Sequence, residues 1–308
     1  MERHMRCLVL GGNGFIGSHL VQALLQSGTR VRILDRAGSL RGEELDGVEY
    51  LYGDFADPSI VSEALIDVDV VAHLVSTTVP GSASADPISD ISGNLIGTVR
   101  FLEQMRASGV RRIVFLSSGG TVYGNTLEER IREDSATDPI SSYGTVKLAI
   151  EKYLGVYGSQ YGIRSTILRV SNPYGHNSRH IGLQGIIPTF FNRLIDKEPI
   201  RVWGVGDNVR DYIYISDLSA AILKAIQQDI PGIYNVGSGN GVSIKEIIDI
   251  VADVSSIKPE VIYLPERPFD VKRVVLDISK FSRTFDWQPT VPIRDGCRKY
   301  WDWLRGQQ

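Results

Sequence analysis

Short apolar runs alternate with stretches in which apolar residues recur every three or four positions, and this alternation holds through the first half of the chain. Arg6-Cys7-Leu8-Val9-Leu10 predicts a strand, and Leu20, Val21, Leu24 and Leu25 give one face of a helix over 18–27. Arg30 to Leu34 predicts a second strand ending at Asp35, followed by strands over 48–52 and 68–74. Leu95, Val99, Leu102 and Met105 mark a helix over 94–108. Arg111 to Ser118 is a strand ending in hydroxyls; a helix opens at Tyr143, and a further strand runs from Ser165 to Val170. Strands and helices in this order imply a parallel doubly wound α/β sheet with right-handed crossovers. Ligands on such sheets sit at the C-terminal strand ends, where Gly11, Asp35, Asp54, Ser117 and Asn172 fall.

Beyond residue 175 the alternation fails. The segment 175–185, rich in Gly, Asn, Ser and His, reads as a loop over substrate, and a helix is expected over 186–196. The segment 211–228 reads as a strand and helix returning to the first domain. Ser243 and Glu246 form a capping box for a helix through Val254. A strand over 274–277 and a helix over 295–304 complete a smaller α/β domain. The expected division is interleaved: 1–174 with about 211–237 in one domain, 175–210 with 238–308 in the other.

Composition narrows the function without naming it. The 308 residues carry 33 Lys plus Arg against 36 Asp plus Glu, a net charge of −3, which argues against a nucleic-acid partner. No run approaches the roughly 18 apolar residues of a membrane span. The N-terminal residues lead straight into a strand with no signal peptide, and Cys7 and Cys297 lie far apart without metal-ligand neighbours. A cytoplasmic protein with no metal site is expected.

Between the first strand and helix stands Gly11-Gly12-Asn13-Gly14-Phe15-Ile16-Gly17. Gly11, Gly14 and Gly17 allow a tight turn and close approach of backbone N–H groups to a pyrophosphate, and the helix N-terminus adds its positive end. Strand, glycine turn, helix, strand and acid in this order are the Rossmann dinucleotide pattern. Asp35, 18 positions after Gly17, can accept both adenosine ribose hydroxyls and would repel a 2′-phosphate, which favours NAD over NADP. Arg36 and Arg41 are the residues that pull the other way. Asp54 can accept the adenine amino group. His73, in the middle of an apolar run, reads as a core histidine rather than a base.

Tyr143 and Lys147 are four apart at the start of a helix and share a face. A phenol with pKa about 10 is a poor base at neutral pH, and an adjacent ammonium, with a cationic nicotinamide, would lower it.

With these residues in place, the chain resembles the extended short-chain dehydrogenases/reductases, close to the UDP-glucose 4-epimerase-like enzymes, over essentially its whole length. The resemblance also rests on Ser117-Ser118-Gly119-Gly120-Thr121-Val122-Tyr123-Gly124, Arg169-Val170-Ser171-Asn172-Pro173-Tyr174-Gly175, the run from Val209 to Leu218, and Tyr234-Asn235-Val236-Gly237. It implies NAD held by Phe15 and Ile16 beside the three glycines, and by Asp35, Asp54 and Phe55. Leu74, Asn94 and Ser117 complete that set with Tyr143 and Lys147. For the substrate it implies Asn172 at phosphate or sugar, Arg210 and Arg267 flanking a diphosphate, Asp270 on the ribose and Trp203 beside the base.

The chain departs from the family in ways that shape the expectation. The Ser or Thr that meets the reacting sugar hydroxyl aligns with Gly119, so Ser118, Thr121 or a water must substitute, with Thr121 preferred. The acid/base pair of the 4,6-dehydratases is missing at Gly120 and Thr121. Thr78 aligns with a substrate-contacting lysine, and Val274 with the residue that sets pocket size, leaving room for an N-acetyl group at C2. The function implied is NAD-dependent C4 epimerisation of a nucleotide sugar, UDP-linked, through a 4-keto intermediate. The alternatives are an NAD(P)H-dependent 4-ketoreductase of a nucleotide-linked 4-keto-6-deoxyhexose, and a non-catalytic nucleotide-binding regulator. A homodimer is expected through the Asn94 and Tyr143 helices, with Phe101 and Tyr157 on their outer faces.

Overall fold

The computed structural model describes residues 4–39, 44–176, 185–266 and 271–307. Contacts divide the chain into two units, residues 1–122, 139–169 and 219–234 in one, and 123–138, 170–218 and 235–308 in the other.

The first unit starts with β1 (Arg6–Leu10), α1 (Phe15–Gln26), β2 (Arg30–Asp35), β3 (Val48–Tyr52), α2 (Pro58–Ala64) and β4 (Val70–His73). Two short helices, α3 (Pro80–Ala85) and α4 (Pro87–Asp90), run into a π-helical turn (Ile91–Ile96) and then α5 (Gly97–Ser108). β5 (Arg112–Ser118), α6 (Ser142–Tyr161) and β6 (Arg164–Val170) follow. Together with a late strand over 232–236 they form a seven-stranded sheet in which β6, β5, β4, β1, β2 and β3 lie side by side in that order. β1 is an inner strand, parallel to both neighbours, with Val9 opposite Ile33 on one side and Ala72 on the other. Strands covered on both faces must be apolar throughout, which is why Cys7 to Leu10 and Val70 to His73 are buried without alternation. The expected α/β doubly wound Rossmann sheet is therefore present.

α5 was expected to start at Asn94. Helical structure begins earlier, and the turn around Asn94 is π-helical rather than α-helical. α6 starts where Ser141 accepts the Gly144 N–H at 3.2 Å and ends at Gly162, whose φ of +70° suits glycine.

The second unit contains β7 (Asn172–Tyr174), α7 (Ile186–Ile195), β8 (Ile200–Trp203), β9 (Val209–Tyr214), α8 (Ile215–Gln228), β10 (Gly232–Val236), β11 (Gly241–Ser243) and α9 (Ile244–Ser255). α8 and β10 cross the division between the units. β12 (Val261–Leu264), β13 (Arg273–Val274), α10 (Ser279–Phe285) and α11 (Ile293–Arg305) complete it. β11, β9 and β13 form a small sheet to which β7 adds on β9, and β12 pairs with β8. The expected capping box is made: Glu246 N–H donates to Ser243 Oγ at 3.2 Å and Ser243 N–H to Glu246 Oε2 at 2.7 Å. The strand expected over 274–277 is shorter, Arg273–Val274, with Leu276 forming only an isolated bridge to Ile131.

Among the described residues no helix is long and apolar enough to cross a membrane, and no cluster of His, Cys, Asp and Glu could hold a metal ion.

Candidate active site

The glycine turn after β1 leaves room for backbone alone. A Cβ at Gly17 would lie 2.1 Å from the Gly11 carbonyl oxygen, and one at Gly12 2.6 Å from Ile33 Cγ1. Gly11 has a φ of +80°, the left-handed region that a glycine enters without penalty. Asp35 stands at the end of β2, its Oδ2 accepting the Asn13 N–H at 3.0 Å and its Oδ1 the Arg36 N–H at 2.8 Å. A carboxylate has about four lone-pair sites, so both oxygens retain capacity for a ribose diol. A turn without side chains, a helix N-terminus and a carboxylate at the next strand end fit a dinucleotide. Asp54 is exposed, with Oδ1 accepting the Ala56 N–H at 2.8 Å. Leu74, Phe15 and Ile16 are half-buried. Arg41 lies outside the described residues.

Three other cofactor candidates are committed to protein partners. Phe55 is buried in the core, its ring 5.5 Å from that of His73. Asn94 is buried, its Oδ1 accepting the Thr77 N–H at 2.8 Å and its Nδ2 donating to Thr78 Oγ1 and Asp90 Oδ1, both at 2.9 Å. Ser117, also buried, donates its hydroxyl to Glu151. His73 is the core histidine expected from its place in β4. Its Nε2 pairs with Thr98 Oγ1 at 3.1 Å and burial pushes its pKa down to about 3.

Tyr143, Lys147 and Glu151 form one stripe of α6, one turn apart. Lys147 is buried, donates from Nζ to the Leu116 carbonyl at 3.0 Å and lies 4.9 Å from the centre of the Phe115 ring. Glu151, one turn deeper, pairs with Arg169 at the end of β6, with both side chains almost fully enclosed. Burial lowers Lys147 to about 8, while the nearby carboxylates Asp90 and Glu151 act to hold its charge. Burial pushes Tyr143 up to about 12, and Asp90 adds to the rise. Desolvation of the phenolate is the largest cause of the rise.

Ser118 is half-buried at the end of β5. Thr121 Oγ1 is buried without a hydrogen-bond partner, in a turn packed so closely on α6 that a Cβ at Gly144 would meet the Thr121 carbonyl oxygen at 2.5 Å. Thr78 donates its hydroxyl to Asp90 Oδ1 at 2.6 Å. Asp90, fully buried, is the carboxylate at this cluster that pattern reading missed; its place four residues before Asn94 is the signal that could have found it.

In the second unit, Asn172, Arg210 and Val274 are brought onto one sheet. Asn172 lies opposite Tyr212 and donates to the Asp211 carbonyl at 2.8 Å, while Val274 lies opposite Arg210. Val274 is buried and Trp203, at the end of β8, is exposed. Asp211 is no surface partner for Arg210. It is fully buried, with its carboxylate accepting the Ser238 and Gly239 N–H groups at 2.8 and 3.1 Å. Arg267 and Asp270 lie outside the described residues.

Phe101 and Tyr157 were expected to face outward. Both are buried, Phe101 at 0% and Tyr157 at 6% exposure, and Tyr157 donates its hydroxyl to Glu103 on α5. The faces they mark pack within the unit.

Comparison with known proteins agrees with this geometry. The profile of the NAD dependent epimerase/dehydratase family matches residues 7–237. The chain is 32% identical over 311 residues to the UDP-glucose 4-epimerase of Mycolicibacterium smegmatis, covering 98% of this chain and 99% of that one. It is 31% identical over 303 residues to the dTDP-4-dehydro-6-deoxyglucose reductase of Escherichia coli, covering 95% of each. The structure of the Thermus thermophilus UDP-glucose 4-epimerase in complex with NAD superposes with a TM-score of 0.92 at 36% identity, over 99% of this chain and 100% of that one. That of the Thermotoga maritima UDP-glucose 4-epimerase with UDP-glucose gives 0.93 at 30% identity, over 98% and 99%. A matched profile over most of the chain, full-length relatives and a glycine cradle shaped for a dinucleotide lead to one conclusion: the chain belongs to the NAD-dependent epimerase/dehydratase family.

Proposed function

We propose that this protein is an NAD-dependent 4-epimerase of a UDP-linked hexose. The observation that carries the reading is the stripe of Tyr143 over a buried Lys147 at the C-terminal end of β5, on the same sheet as the glycine cradle after β1. The relatives named UDP-glucose 4-epimerase support the substrate class.

The residues that would hold NAD are Gly11, Gly14 and Gly17 for the pyrophosphate, Asp35 for the ribose and Lys147 for the second ribose. When bound, NAD supplies a reversible hydride acceptor for C4 and a positive charge near Tyr143. Tyr143 takes the proton of the C4 hydroxyl as C4 becomes a ketone, and returns it when the ketone is reduced from the opposite face. Its raised pKa makes deprotonation the residue's difficulty, so a cationic cofactor beside it is part of the design. Lys147 offsets phenolate charge at 5.7 Å from the ring centre. Asn172, Arg210, Arg267 and Asp270 are assigned to the diphosphate and ribose, where Arg can form paired bonds to phosphate oxygens. Trp203 is assigned to the base and Val274 to the room left at C2.

A homodimer belongs to this reading. With Phe101 and Tyr157 enclosed, the π-helical turn and α6 still offer exposed Ile91, Ile96, Tyr153 and Val156 to a second copy. A cytoplasmic setting agrees with Cys7 and Cys297 being unpaired and buried. The 4-ketoreductase is the second reading, favoured by the Escherichia coli relative, whose name is that of a reductase.

Proton NMR of the protein with UDP-glucose, and separately with UDP-N-acetylglucosamine, without added reductant, tests the proposal. Appearance of the C4 epimer supports it, and acceptance of the second sugar supports the Val274 assignment. No conversion of either sugar, together with NADH or NADPH oxidation on a dTDP-linked 4-keto-6-deoxyhexose, would establish the reductase instead.

A further inference from the structure

Asp90, the last residue of α4, is 0% exposed, and the side chains that donate to it are all neutral. Burying a carboxylate among neutral donors costs more than burying an apolar residue, so packing alone does not account for it. Its two oxygens serve different segments. Oδ1 accepts from Thr78 Oγ1 at 2.6 Å and from Asn94 Nδ2 at 2.9 Å. Oδ2 accepts from Ser142 Oγ at 2.7 Å. Thr78 lies in the loop after β4, Asn94 in the π-helical turn, and Ser142 at the first position of α6, next to Tyr143. The loop and the turn are closed on each other. Asn94 Nδ2 also donates to Thr78 Oγ1 at 2.9 Å, and Asn94 Oδ1 accepts the Thr77 N–H at 2.8 Å. The turn presses on the loop so closely that a Cβ at Gly93 would lie 2.6 Å from Thr77 Oγ1. Farther along α6, Lys147 Nζ donates to the Leu116 carbonyl of β5 at 3.0 Å. The start of α6 is thus fixed at two points, Ser142 and Lys147, and Tyr143 lies between them in sequence.

We propose that Asp90 is a positioning residue for Tyr143: one buried carboxylate bridges the block of loop and π-helical turn to the first residue of α6, and so fixes where the phenol stands. The inference rests on the epimerase reading for its chemistry. Asp90 takes no proton from substrate or cofactor and acts through Ser142. A carboxylate suits the task because its two oxygens accept from both sides at once, and solvent does not compete for bonds to a fully buried group. Thr78, aligned with a substrate-contacting lysine, commits its hydroxyl to this bridge. Proton transfer needs the phenol oxygen within hydrogen-bonding reach of the C4 hydroxyl. A misplacement of about 1 Å can cost on the order of 10² in rate, which is what the bridge prevents.

Three variants of the NAD-loaded protein test the bridge. Ser142→Ala cuts it at α6 and leaves the block intact, and Asp90→Ala removes it. Asp90→Asn keeps an oxygen for Thr78 and offers an NH2 group that Ser142 Oγ can accept. With UDP-glucose, Ser142→Ala should lower kcat about tenfold at constant KM, the scale of one hydrogen bond to a carboxylate. Asp90→Ala should lower it by about 10², and Asp90→Asn should recover most of that loss. The double variant should be no slower than Asp90→Ala alone, because Ser142 acts through Asp90. A wild-type kcat in Ser142→Ala overturns the proposal, as do multiplied losses in the double variant or an Asp90→Asn as slow as Asp90→Ala. Should Asp90→Ala fail to fold, Ser142→Ala and Asp90→Asn decide the matter. Hydrogen exchange followed by mass spectrometry needs no sugar. Ser142→Ala should speed exchange of the amides of 143–147 about tenfold while those of β4 stay as in wild type. Unchanged exchange in an active epimerase sinks this inference and leaves the proposed function standing. Faster exchange in a protein that epimerises no sugar supports the bridge and sinks only the proposed function.

Discussion

The Lys147 ammonium lies 5.7 Å from the centre of the Tyr143 ring while donating a 3.0 Å hydrogen bond to the Leu116 carbonyl at the end of β5. It thus anchors the Tyr143–Lys147 stripe of α6 to the strand end and faces the phenol ring across space rather than through a direct bond. Asp90 and Glu151, both buried, hold the charge on Lys147 in place.

In the proposed reaction Tyr143→Phe removes the proton acceptor and leaves the glycine cradle untouched. kcat should fall by at least the 10² to 10⁴ typical of general acid–base assistance, about the whole of turnover, while NAD stays bound. Parallel measurements of epimer formation by NMR and of cofactor released on denaturation check both halves. Retained activity would remove Tyr143 from the mechanism.

Burial holds Lys147 at about 8, against 10.5 for the exposed group. Between these values the unfolded chain carries more protons than the folded one, so the stability of the wild type rises with pH across that window. Lys147→Met has no such titration. The stability of wild type relative to this variant should therefore grow by roughly 3 kcal/mol on going from below pH 8 to near pH 10. Urea unfolding of both proteins at the two ends of the window checks it, and a constant difference would show that the ammonium is not buried.

Glu151 and Arg169 are 2% and 3% exposed at the side chain, and Ser117 shares the carboxylate. Glu151→Gln leaves the guanidinium enclosed without its counter-charge, which costs about 3–5 kcal/mol. The urea midpoint should fall accordingly. A loss below about 1 kcal/mol, as for exposed pairs, would contradict the enclosed geometry.

Gly17→Ala would drive a methyl to 2.1 Å from the Gly11 carbonyl oxygen and 2.8 Å from Gly12 Cα. Backbone must move to relieve it, at a cost of about 1–3 kcal/mol, and the cradle opens in doing so. The purified variant should lose most of its NAD while keeping its circular dichroism spectrum. Full NAD retention would mean that the pyrophosphate is held elsewhere.

What the sequence by itself determined is local. The β1–glycine turn–α1–β2 unit, the Asp35 strand end, the Ser243 and Glu246 capping box and the buried place of His73 all follow from spacings of a few residues, and such spacings are set by helix and strand geometry. The Tyr143–Lys147 stripe is legible for the same reason. Only the tertiary structure decided what surrounds those residues. Burial and desolvation are sums over neighbours distant in sequence, so Phe101 and Tyr157, apolar on any helical reading, were expected outward and are enclosed. The rise of Tyr143 to about 12, the Glu151–Arg169 pair and the meeting of Ser142 with Thr78 on Asp90 have the same origin. No period along the chain encodes them, because each depends on which segments the sheet order places side by side.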